Sequence, residues 1–223
     1  MTGGSGSARD TILRAAYRSF LDVGYEKTTH RRIAEQAGHE RPLVQYYIPR
    51  KADLAARFLM DVLAVGSEVV VDEQLADPHE PFTYRYVLAQ VYYCALSTPP
   101  LSTFALEALD RRSIVAQVLD SDIEWNLGLI RPEDVRRQAV VDDSVMAIGG
   151  AYELFTHRLR AGQDIDPADL AARTLFAAIR SEPAARSTTE ASIQAHTLAP
   201  SVLQAAAKNV ISALRENPNL GTN

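Results

Sequence analysis

Between Thr29 and Lys51 the chain concentrates side chains suited to holding a polyanion and reading flat hydrogen-bonding edges: Thr29, His30, Arg31, Arg41, Gln45, Tyr46, Tyr47, Arg50 and Lys51. An arginine fork matches the two acceptors of guanine and a glutamine amide matches adenine, while threonine, tyrosine and lysine suit phosphate oxygens. Arg41, Gln45 and Tyr46 are the candidates for base edges. Thr29, Tyr47 and Lys51 are the candidates for phosphate, with His30, Arg31 and Arg50 beside them.

Catalytic chemistry has no comparable concentration. The sequence holds no phosphate-cradling glycine loop, no Glu-x-x-His pair and no Gly-x-Ser-x-Gly elbow, and its five histidines are scattered. Asp142 and Asp143 are adjacent, so on a helix they diverge by about 100° and serve solvent better than a shared proton. Cys94 is the single cysteine, which leaves no intrachain disulfide and no cysteine-based zinc cluster and reads as a small buried hydrophobe. No enzymatic activity, metal or cofactor is expected.

The net charge of −5 hides an asymmetry: residues 1–65 carry 10 Lys and Arg against 7 Asp and Glu, whereas 66–223 carry 13 against 21. A basic end on an acidic body suits a protein that presents one end to phosphate. No stretch approaches the roughly 20 apolar residues of a membrane-spanning helix, and the Gly/Ser-rich 1–7 has no apolar export core, so the expected address is cytoplasmic and the membrane is not a partner.

Stepping along the chain, Ile12, Ala16, Phe20 and Val23 recur at helical spacing until Gly24 stops the pattern. Thr29 is placed to cap a second helix carrying Ile33, Ala34 and Ala37 inward and ending at Gly38. A third starts at Arg41-Pro42, turns Leu43, Val44 and Tyr47 inward, and stops at Ile48-Pro49 because proline disfavours helix in the residue before it. Two short helices across a glycine turn, buttressed by a longer one, make a helix-turn-helix.

In order and spacing, Ile12-Leu13-Arg14-Ala15-Ala16, Phe20, Gly24-Tyr25, Thr28-Thr29, Ile33-Ala34, Ala37-Gly38, Tyr46-Tyr47, Pro49, Lys51 and Leu54 resemble the DNA-binding signature of TetR-family transcriptional regulators. Gln45 stands where that family usually has tyrosine, Ile48 where it usually has phenylalanine, and Glu40 where serine is common. The resemblance implies phosphate contacts from Tyr47 and Lys51, a homodimer on a palindromic DNA operator, and repression relieved by a small molecule. The competing reading, from Glu40, Gln45 and the acidic body, is a protein-interaction module whose helix-turn-helix binds no specific operator.

Downstream, apolar periodicity predicts helices over 50–76, 82–96, 101–112, 114–130, 133–160, 166–181 and 200–215, with 182–197 a mobile excursion. The fold class is all-α: a flexible 1–7, a helix-turn-helix domain over 8–53, a helical ligand-binding and dimerisation domain over 54–181, and an appended loop and helix over 182–223. The resemblance places an effector pocket in the body, for which Tyr92, Tyr93, Phe104, Trp125, Tyr152 and Phe155 are the aromatic candidates and Glu124 and His157 the polar anchors, suiting an apolar or aromatic effector. It also implies a dimer interface of four helices, transferred here to Val141, Val145, Ile148, Gly149 and Tyr152 on one helix and Leu170, Leu175 and Ala178 on the next.

Overall fold

The computed structural model describes residues 7–127, 137–178, 190, 191, 193 and 195–216; the side chains of 125–127 and 140 are outside that set. The described residues form ten helices and no strand. The expectations for 1–6, 128–136 and 179–189 lie outside the described residues.

Local chemistry sets the first three helices. In α1 (Ala8–Val23) the Ser7 hydroxyl accepts from the Asp10 N–H at 3.2 Å and the Asp10 carboxylate accepts from the Ser7 N–H at 3.2 Å, a reciprocal box that satisfies two donors a helix start leaves unpaired. Gly24 ends α1 at φ +81°, a left-handed conformation that favours glycine. The Thr29 hydroxyl accepts from the Arg32 N–H at 3.2 Å to cap α2 (His30–Ala37). Pro42 opens α3 (Arg41–Tyr47) where its missing N–H costs nothing.

The lever helix α4 (Lys51–Asp72) is shorter than its apolar pattern predicts. It closes with the Leu75 N–H on the Val70 carbonyl at 2.9 Å and the Gln74 N–H on the Val71 carbonyl at 3.1 Å. That pattern needs a left-handed residue, supplied by Gln74 at φ +54° with no glycine to announce it.

The body comprises α5 (Pro81–Ser97), α6 (Leu101–Leu109), α7 (Arg112–Leu127), α8 (Arg137–Arg160) and α9 (Pro167–Ala178). Asp166 caps α9 by accepting from the N–H groups of Ala168 at 2.9 Å and Asp169 at 3.2 Å. The last helix, α10 (Pro200–Glu216), lies against α4, α5 and α1 and buries Leu203, Val210 and Leu214 there. The appended segment therefore braces the lever and the first helix together.

One hydrophobic core runs from Ile12 in α1 to Leu214 in α10 without a break. Its aromatic centre joins the N-terminal unit to the body: Phe58 of α4 lies 5.5 Å from Phe20 of α1 and 4.8 Å from Phe104 of α6, ring centre to ring centre. Tilted and edge-on contacts of this kind add to plain burial. Cys94 is buried, and burial pushes its thiol up, away from the reactive thiolate. Among the described residues no helix is long and apolar enough to cross a membrane.

Candidate functional site

The third helix presents a polar face outward. Arg41, Gln45 and Tyr46 are exposed, Tyr46 at 75% although its ring is apolar. Tyr47 beside it is half-buried, its ring edge-on to Tyr46 at 5.1 Å. Val44 and Ile48 face the core, so Arg41, Gln45 and Tyr46 project from the opposite side of a helix anchored by packing.

Two of the other candidates, His30 and Lys51, fasten the backbone around this helix. The His30 ring nitrogen donates to the Ile48 carbonyl at 2.8 Å, tying the start of α2 to the end of α3. Lys51 donates to the carbonyls of Tyr25 at 2.7 Å and Thr28 at 2.9 Å, and its ammonium sits 4.0 Å over the Tyr25 ring. Burial lowers its affinity for the proton, and the Glu26 and Glu107 carboxylates oppose that loss. The ammonium expected to meet phosphate is thus engaged in fastening the α1–α2 loop. Arg31 pairs with Glu35 one turn away at 2.9 Å on an exposed face, where such pairs add little. Thr29 and Arg50 are exposed at the starts of α2 and α4, open to an incoming polyanion.

Residues 12–58 match the family model of bacterial regulatory proteins, tetR family. The head is a TetR-family DNA-binding domain. With the all-helical body behind it, the chain is a TetR-type DNA-binding transcriptional regulator. No curated protein matches the chain.

Behind the TetR-type head, α4, α5, α7, α8 and α9 line a cavity of about 110 Å³. Three of the predicted aromatic residues meet there. The Tyr92 and Tyr152 hydroxyls are 2.9 Å apart, and the Tyr93 hydroxyl lies 3.0 Å from the Thr174 hydroxyl. Burial pushes all three phenols up, Tyr93 to about 12, so all are neutral hydrogen-bonding groups at physiological pH.

The remaining ligand candidates are placed elsewhere. Phe104 is drawn into the head-to-body cluster with Phe20 and Phe58. Phe155 forms the layer behind the wall, its ring 6.2 Å from that of Tyr93 and parallel within 30°. Glu124 and His157 are exposed on the outer faces of α7 and α8 and are not polar anchors of the cavity. The side chain of Trp125 is outside the described residues.

The polar cavity-lining residues that sequence reasoning missed are Arg85 of α5, Asp122 of α7, Ser144 of α8 and Thr174 of α9. The two charged ones interrupt apolar stripes: Asp122 follows Ile114 and Val118 at steps of four, and Arg85 precedes Leu88, Ala89 and Tyr92 at helical spacing. A charge at a position the period assigns to the interior is the signal that finds Arg85 and Asp122.

The proposed dimer residues divide by exposure. Tyr152, Leu170 and Leu175 are buried within the protomer, and Ile148 and Ala178 line the cavity, so these five serve the chain's own interior. Among the described residues of α8, Val145 at 43% and the neighbouring Met146 at 56% are the large apolar side chains left exposed. Val141 is half-buried alongside, and among the described residues a Cβ built on Gly149 or Gly150 meets nothing within 4 Å.

Proposed function

We propose that the chain is a homodimeric, effector-responsive repressor that reads a palindromic operator in the cytoplasm and performs no catalysis. The observation carrying this reading is that one helix serves both ends: α4 starts at the head with Lys51 and, about 14 to 18 Å further along its axis, supplies Met60 and Leu63 to the cavity wall. A ligand that favours one arrangement of that wall tilts the helix carrying the head, moving paired heads out of register with successive major grooves. Residues 8–53 serve as the head and 54–181 as the effector and dimerisation body, with α10 bracing both.

Arg41 and Gln45 read bases; Thr29, Tyr47 and Arg50 meet phosphate, while Lys51 and His30 position them. The second copy packs against Val141, Val145 and Met146 of α8, where Gly149 and Gly150 admit a close helix. Burying that exposed apolar stripe supplies the driving force.

Selection from random duplex DNA at moderate salt tests the reading. Recovery of a palindrome with half-sites one helical turn or a multiple apart supports it. No enriched motif from a folded dimer favours the protein-interaction reading instead, for which the supporting observation is Glu40, a carboxylate exposed at the start of α3 with no capping bond of its own.

A further inference from the structure

Among the charged residues lining the body cavity, Arg85 of α5 and Asp122 of α7 are of opposite sign. We propose that the cavity takes an uncharged one-ring compound bearing a hydroxyl, of the phenol class; this deepens the effector reading above and rests on it.

Three observations converge. The first is electrostatic balance. The carboxylate of Asp122, in a residue only 9% exposed, sustains the charge of Arg85 against the burial that lowers its affinity for the proton. A ligand ion entering this wall gives up its hydration and finds no surplus counter-charge, whereas a neutral molecule loses neither.

The second is hydrogen-bond supply. The Thr174 hydroxyl donates to the Leu170 carbonyl at 2.8 Å, so in the 3.0 Å contact with Tyr93 it accepts, and Tyr93 offers a ligand only an acceptor oxygen. In the Tyr92 and Tyr152 pair one hydroxyl donates to the other, which leaves one O–H available. A ligand hydroxyl, donor and acceptor at once, satisfies both; an ammonium or a carboxylate satisfies one.

The third is size and surface. A dry cavity of about 150 Å³ holds benzene, and the 110 Å³ here, walled by Leu63, Leu88, Val118 and Ile148, is on the scale of a single ring.

The experiment measures binding of phenol, benzoate and protonated benzylamine to the full-length protein at neutral pH, by calorimetry and by the shift in unfolding temperature. Phenol is expected to bind at least tenfold more tightly than either ion. Equal or tighter binding of benzoate or benzylamine, or no binding of any of the three, overturns the proposal. Asp122→Asn is expected to narrow or reverse the gap for benzoate and Arg85→Met that for benzylamine; if either variant fails to fold, the doubly neutral R85M/D122N must still prefer phenol. Operator selection is read separately: a protein that selects an operator but binds no probe loses the ligand class and keeps the regulator, while phenol binding that leaves operator retention unchanged keeps the cavity chemistry and overturns the effector reading.

Discussion

The Tyr17 hydroxyl of α1 donates to the Asp61 carboxylate of α4, linking the head to the lever beneath the surface, with Arg57 3.8 Å from the same carboxylate. Desolvation holds the Asp61 carboxyl above its usual range, and the Tyr17 bond and Arg57 pull it back. Tyr17 is fully buried and its ring packs edge-on to Phe58 at 4.6 Å, so the bond is made inside the core.

Tyr17→Phe keeps that ring packing and removes the bond. Leaving a part-buried carboxylate short of a donor costs about 1–3 kcal/mol. The variant's carboxyl rises further, so its native state holds the proton more tightly than its unfolded state does. The loss of stability is therefore greatest at neutral pH and shrinks as pH falls through the native pKa of Asp61. Urea unfolding at neutral and mildly acidic pH measures it; a deficit that does not change with pH means that Asp61 draws nothing from Tyr17.

Lys51 offers a cleaner separation of roles. If its ammonium holds the α1–α2 loop through the Tyr25 and Thr28 carbonyls, Lys51→Met lowers stability by about 1–3 kcal/mol and weakens DNA binding without changing its salt dependence. A lost phosphate contact instead lowers the slope of log affinity against log salt by about one. Binding titrations across a salt series, set beside those for Arg50→Met, decide between them, and the unchanged slope is the expected result.

Most of the head was legible in the sequence because its determinants are local. Thr29, Gly38 and Pro42 act within one turn of themselves, and the spacing of Ile12, Ala16 and Phe20 defines a face whatever it packs against. The overestimated end of α4 has a different origin: Gln74 takes a left-handed conformation that side-chain type does not advertise, and the adjoining Glu73 is bound by Asn209 from α10 at 2.6 Å. Phe104 was assigned to the cavity because aromatic residues suit both a ligand wall and a core; only the fold reveals that Phe20, 84 residues earlier, claims it. Aromatic clustering does not point to Arg85 or Asp122, although each stands where the helical period wants an apolar side chain.

The brace formed by α10 draws its strength from burial, not from its ion pair. Leu214 is fully buried at the junction with the head and lever, whereas Arg215 meets Asp22 of α1 at 3.1 Å with both side chains about half exposed. Leu214→Ala is expected to cost about 2–5 kcal/mol, and Arg215→Ala less than about 1 kcal/mol. Chemical denaturation of the two variants gives the ranking directly; comparable losses would transfer the brace to the Arg215–Asp22 pair.

The tyrosines of the cavity set the alkaline limit of stability. Tyr93 is raised from 10.0 to about 12 by desolvation, against the lowering effect of its bond to Thr174, and burial raises Tyr92 and Tyr152 as well. Groups whose native pKa lies above the unfolded one stabilise the fold fully below the unfolded value and cease to do so as pH climbs through the native value. For Tyr93 the window opens at 10.0 and closes near 12. Within it each unionised tyrosine steepens the fall in stability by about 1.4 kcal/mol per pH unit. Unfolding free energy is therefore expected to be insensitive to these residues at neutral pH and to drop sharply above pH 10, with phenolate absorbance appearing together with unfolding. Tyr93→Phe should make that alkaline fall shallower by one tyrosine's share; phenolate absorbance that develops in the folded protein near the ordinary tyrosine value would show that water reaches the hydroxyls and that the cavity is not dry.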